Sequence, residues 1–114
     1  MKFNIINKTA EIISNEVLIS SLDDAVNILG NANYQGADSV ILMKEQISPD
    51  FYDLKTGFAG DILQKFSNYK MKLAIIGDFS NLKSKSLTDF IFESNKKGFI
   101  NFVATKEEAL QKFS

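Results

Sequence analysis

Residues 51–79, FYDLKTGFAGDILQKFSNYKMKLAIIGDF, constrain the fold more than any other stretch of the chain. A glycine-bearing turn enters a segment whose apolar residues Phe58, Ile62, Leu63 and Phe66 share one helical face. The spacing predicts a helix from roughly Thr56 to Tyr69, returning through a lysine-containing turn into Leu73-Ala74-Ile75-Ile76. An uninterrupted apolar run of that length is what a strand covered on both faces requires. A helix leading into a buried strand that ends at Gly77-Asp78 is an α/β unit.

The flanking sequence repeats the pattern. Phe3, Ile5, Ile12 and Ile13, then Val17, Leu18 and Ile19, read as two short strands around the polar turn Asn7-Lys8-Thr9. Ser14-Asn15-Glu16 is either a second turn or part of the ladder. Ser21-Leu22-Asp23-Asp24 resembles a capping box, since a hydroxyl accepts from a free backbone N–H and the acids suit the positive end of the helix dipole. Leu22, Val26 and Leu29, beside Ala25 and Ile28, form an apolar stripe before Gly30, and residues 31–36 can prolong that helix by a turn. Ser39–Met43 is a second buried strand, followed by a polar loop carrying Ser48-Pro49-Asp50. Leu87, Phe90 and Ile91 mark a helix ending near Lys96-Lys97-Gly98, where lysines suit the C-terminus and glycine the cap. Phe99–Val103 reads as the last strand, and Thr105-Lys106-Glu107-Glu108 opens a final helix with Ala109, Leu110 and Phe113 facing inward. The order ββαβαβαβα predicts an α/β sandwich with a mixed sheet whose later strands, 39–43, 73–77 and 99–103, are adjacent and mostly parallel.

At 114 residues the chain reads as one domain, 1–114, with one core. Its net charge of -1 gives no general attraction to nucleic acid or an anionic membrane, and neither is expected as a partner. Every basic residue is a lysine, so no bidentate arginine fork is available for phosphate or carboxylate. Without histidine or cysteine there is no imidazole base, no thiolate nucleophile, no disulfide and no zinc-thiolate site. No cofactor is implied. The first residues run straight into a strand pattern with no secretory or transmembrane signal, which makes the cytoplasm the expected compartment.

In an open parallel sheet, ligands bind beyond the carboxyl ends of the strands, where loops and helix N-termini converge. Tyr52–Gly57, Gly77–Asn81 and Ala104-Thr105 should share that rim. The site residues predicted on this ground are Asp53, Lys55, Thr56, Gly57, Asp78 and Ser80. The ordinary alternative is that Asp53 or Thr56 caps a helix and Asp78 orders a turn. Lys55-Thr56-Gly57 and Ser80-Asn81-Leu82-Lys83 carry the letters of β-lactamase motifs, without the strand context and partner motifs that chemistry needs. Glu45, Asp50 and Asp53 could approach a hard cation, but a solvated loop is the stronger reading of these three acids. Phe58, Phe66, Phe90, Phe99 and Phe113 fall on inward faces, which assigns them to the core rather than to base stacking. Tyr34, Phe51 and Tyr52 lie in less regular regions and are the candidates for an interface, favouring a homodimer.

The run Asn31-Ala32-Asn33-Tyr34-Gln35-Gly36-Ala37, then Phe51 with Asp53-Leu54-Lys55-Thr56-Gly57-Phe58-Ala59-Gly60, closely resembles a bacterial family of unknown function, number 4180. Ile62-Leu63-Gln64-Lys65-Phe66, Asn68-Tyr69, Ile76-Gly77-Asp78 and Glu93-Ser94-Asn95 extend the resemblance over nearly the whole chain. It implies no activity. More loosely, Lys72–Asp78, Phe102 and Glu108-Ala109-Leu110 are similar to STAS and SpoIIAA-like domains. That likeness implies strands largely in chain order and, in some members, a switch operated by phosphorylation of a Ser or Thr at a helix start. Thr56 holds the comparable place, with Lys55 where the phosphosite usually has an acidic residue.

Two functional classes follow. One is a non-enzymatic binding or regulatory module that holds a protein partner or small ligand at the rim. The other is a small hydrolase or transferase using Asp53 or Asp78 as its base, with or without a divalent cation.

Overall fold

The computed structural model describes residues 2–113. A hairpin opens the chain: β1 (Lys2–Ile6) pairs antiparallel with β2 (Thr9–Ile13), from Lys2 opposite Ile13 to Ile6 opposite Thr9. Asn7 makes the turn at φ 56°, a left-handed conformation that asparagine tolerates better than most residues. Thereafter strand and helix alternate. α1 (Leu22–Tyr34), β3 (Ser39–Met43), α2 (Phe58–Asn68), β4 (Lys72–Ile76), α3 (Lys85–Lys97), β5 (Ile100–Val103) and α4 (Lys106–Phe113) complete the fold.

The five strands lie in chain order, β1-β2-β3-β4-β5, with every pair after the first parallel. Crossovers of one hand along a sheet in sequential order place successive helices on the same face. Accordingly Val40, Leu42, Leu73, Ile75, Ile100 and Phe102 pack with residues of α1, α2 and α3. The intervening Ile41, Ala74, Ile76 and Val103 point the other way and pack under Ala109, Leu110 and Phe113 of α4. This period-2 division explains why the strands read as unbroken apolar runs: both sheet faces are covered. Each fully buried Ile, Leu or Phe in these layers contributes about 1.5–3 kcal/mol.

The helix ends follow the sequence signals. Ser21 Oγ accepts from Asp24 N–H at 3.2 Å, and Asp24 answers by accepting Ser20 N–H at 2.9 Å. α1 runs on through Gly30 to Tyr34, and Gly36 at φ 86° turns the chain away. Gly98, at φ 79°, closes α3. Two expectations need correction. Val17 and Leu18 form no strand; only Ile19 bridges to Ile47, so Ser14-Asn15-Glu16 is a turn. Thr56 does not begin α2, because Gly57 at φ 76° separates it from Phe58.

Two amides complete the sheet where its ladders stop. The last matched pair of β2 and β3 is Glu11 with Ile41. Beyond it, Gln46 Oε1 accepts Met43 N–H at 2.8 Å while its Nε2 donates to Ile12 O at 3.2 Å and Ser14 O at 2.9 Å. At the far side, Asn95 of α3 accepts Phe102 N–H at 2.7 Å and donates to Phe102 O at 3.2 Å.

Candidate functional site

Lys44 follows β3 directly, and Gly77 follows β4. Without a side chain at 77, the Lys44 stem lies across the neighbouring backbone and its Nζ donates to Asp78 O at 3.1 Å. The ammonium sits 5.2 Å from the Phe79 ring centroid and 5.9 Å from that of Tyr52, within the range of cation–π attraction. Tyr52 in turn donates to Lys44 O at 3.1 Å. Burial, with the Glu45 carboxylate adding to it, pushes the Tyr52 phenol above its ordinary range.

Beneath these groups lies an aromatic cluster. Phe79 meets Phe102 edge to face, with centroids 5.2 Å apart, and Phe51 meets Tyr52 at 5.0 Å. Phe51 and Phe90 also contact Phe102. Phe51 is 0 % exposed, which corrects its reading as an interface residue, and Tyr52 is half-buried. Of the three aromatics expected at the surface, Tyr34 is the one that stands free, at 91 % exposure.

The Gly77–Ser80 turn lines one side of a concavity of about 370 Å³, with Phe102, Val103, Ala104 and Glu108 on the other. Asp78 and Ser80 are therefore brought together with the strand-end segment that carries Ala104, as the rim argument expected. The Ser80 hydroxyl and backbone N–H donate to Asp78 Oδ1 at 2.5 and 3.0 Å. These bonds, the hydroxyl first, and then Lys44 hold the Asp78 carboxyl below the usual carboxylate range.

Asp53, Lys55, Thr56 and Gly57 do not line this concavity; their segment reaches it through the Tyr52–Phe79 ring contact, 6.4 Å between centroids. Their polar groups serve the chain locally. Asp53 Oδ1 accepts Lys55 N–H at 3.2 Å. Thr56 Oγ1 lies 2.9 Å from both Asp50 O and Asp53 O, and accepts Phe58 N–H at 3.2 Å. The hydroxyl thus joins two short 3-10 turns to the start of α2. Among the described residues, no group of three or more carboxylates converges on a metal position, Glu45, Asp50 and Asp53 included.

The model of the family described as Domain of unknown function (DUF4180) matches residues 6–113. The chain belongs to this family. No curated protein and no solved structure matches it. Within this DUF4180 domain, sequence reasoning missed Lys44, Gln46, Asn95 and Glu108. Lys44 directly follows the end of β3 and Glu108 lies five residues past the end of β5, so both were within reach of a search beyond the strand ends. Gln46 and Asn95 are amides in otherwise polar segments, and nothing in their spacing announces their bonds to the sheet backbone. No helix among the described residues is long and apolar enough to cross a membrane.

Proposed function

We propose that this domain is a non-enzymatic, cytoplasmic binding or regulatory module that recognises an ammonium or guanidinium group on an apolar stem. The group belongs to a small ligand or to a side chain of a protein partner. One observation carries the reading: the rim concavity is lined by two acidic residues, Asp78 and Glu108, together with Phe79, Phe102, Val103 and Ala104, and the nearby Lys44 ammonium is already engaged by Asp78 O and the Phe79 ring. Its volume falls near the lower end of the range for small-ligand sites. An apolar floor with two acceptors at its edge complements a cation with a hydrocarbon tail, whereas a bare phosphate would meet repulsion from both carboxylates.

The acid/base chemistry expected of a hydrolase is disfavoured by the same groups. A general base works best with a pKa near the operating pH, and the Ser80 hydrogen bonds move Asp78 away from it. The Tyr52 phenol is displaced upward and committed to Lys44 O. In a STAS-like regulatory role, a phosphate on Thr56 would break its two-way bridge and set new negative charge beside Asp53 and Asp50, loosening the start of α2.

A thermal-shift screen with agmatine, a short lysine-containing peptide, nucleotides, acyl compounds and divalent metals tests the proposal, because a ligand of the native state raises its melting temperature. The amines should raise it, and raise it less in Glu108→Gln. A response to nucleotides or metals with none to the amines would overturn the reading.

A further inference from the structure

The two edges of the sheet are finished differently. On β5 the Asn95 amide bonds both the N–H and the C=O of Phe102, standing where another strand would pair. On β1, among the described residues, no group bonds the outward backbone. The direction of that backbone follows from Gln46. Its Nε2 donates to Ile12 O from the β3 side, so Ile12 turns its backbone away from β1. Hydrogen-bonded and non-hydrogen-bonded pairs alternate in an antiparallel ladder. Phe3 opposite Ile12 and Ile5 opposite Ala10 are therefore non-hydrogen-bonded pairs, and Phe3 and Ile5 present their N–H and C=O groups outward.

Those two residues are also the half-buried apolar members of β1 on the three-helix face, with Asn4 exposed between them. The strand is thus self-complementary about Asn4. Antiparallel pairing with its own copy sets Phe3 opposite Ile5 twice, an aromatic–β-branched pair of the kind that stabilises sheets. We propose that β1 pairs antiparallel with β1 of a second copy of this chain, centred on Asn4, joining the two sheets into one.

The pairing forms about four backbone hydrogen bonds, two for each Phe3–Ile5 pair. It closes as a two-fold dimer. Head-to-tail addition of β1 to β5, which would run on into fibres, is blocked by Asn95. A seam this short belongs with small, transient interfaces, so the dimer should dissociate on dilution.

The experiment uses the full chain with any purification tag placed after Ser114. Light scattering should give twice 12.8 kDa at the highest soluble concentration, falling toward 12.8 kDa on dilution. Ile5→Pro removes an outward N–H on an edge strand, where proline is tolerated, and should melt cooperatively as a monomer. Asn4→Cys supplies the chain's sole thiol at an exposed position on the two-fold axis. Non-hydrogen-bonded partners lie about 4.5 Å apart between Cα atoms, within disulfide reach, so mild oxidation should link two chains. Lys2→Cys and Ile6→Cys should not link. A wild type that stays at 12.8 kDa, or an Asn4→Cys protein that crosslinks no better than the other two, would overturn the proposal whether or not Ile5→Pro folds.

Discussion

A methyl group at position 77 has no room beside Lys44: a Cβ built there lies 2.7 Å from Lys44 Cβ and 3.0 Å from its Cδ. Glycine at the end of β4 is what lets the Lys44 stem cross to Asp78 and Phe79. Because the nearest atom is the root of the side chain rather than its flexible end, the collision must move backbone. Gly77→Ala should therefore cost about 1–3 kcal/mol in chemical denaturation. Gly30→Ala is the control, since its Cβ meets nothing within 4 Å in the interior of α1; it should stabilise by about 0.5–1 kcal/mol.

Gln46 is 4 % exposed and holds three backbone groups that the β2–β3 ladder leaves behind. Gln46→Leu keeps most of the volume and strands Met43 N–H and the carbonyls of Ile12 and Ser14. Leaving a buried polar group unpaired costs about 1–3 kcal/mol. A loss of about 3 kcal/mol is expected, with faster amide exchange at Met43.

Tyr52 links stability to alkaline pH. Its folded pKa lies above the ordinary 10.0 because of burial and Glu45. The unfolded phenol thus ionises first, and the native state holds more protons between the two values. Its stabilising contribution is complete below about pH 10 and is lost as pH rises through the folded value. Tyr52→Phe should be less stable at neutral pH by about 0.5–1.5 kcal/mol, from the lost bond to Lys44 O. Its stability should also fall less steeply than the wild type's above pH 10, which parallel denaturation series would read.

Thr56 bridges the 3-10 turns to α2 through one hydroxyl. Thr56→Ala should cost about 1 kcal/mol, as loss of a helix cap does. Thr56→Glu should cost more, since it adds charge beside Asp53. Equal stabilities would contradict the bridging role.

The buried strands were legible because two-sided burial leaves a signature that polar loops cannot imitate: Val40-Ile41-Leu42 and Leu73–Ile76 are apolar at every position. Helix ends were legible where glycine or serine stands at a cap. Phe51 was not. Pro49 starts a 3-10 turn that carries Phe51 inward against Phe102, and a single turn has no periodicity to read. The start of α2 was misplaced by two residues because the left-handed Gly57 interrupts a segment whose composition is helical throughout. At the rim, the strand ends located Asp78, Ser80 and Ala104, but the side chains around them are joined by contacts across 34 residues of sequence, as between Lys44 and Asp78. Such pairing has no local signal.

The most direct test of the binding proposal is a backbone amide NMR titration of the full chain with agmatine, repeated on Asp78→Asn/Glu108→Gln. The proposal predicts shifts concentrated at Gly77–Ser80 and Ala104–Glu108 in the wild type and weakened by at least tenfold in affinity in the double variant. Shifts centred instead on the separate concavity lined by Asn7, Lys8, Asp38 and Phe113, or an affinity untouched by the two substitutions, would contradict it.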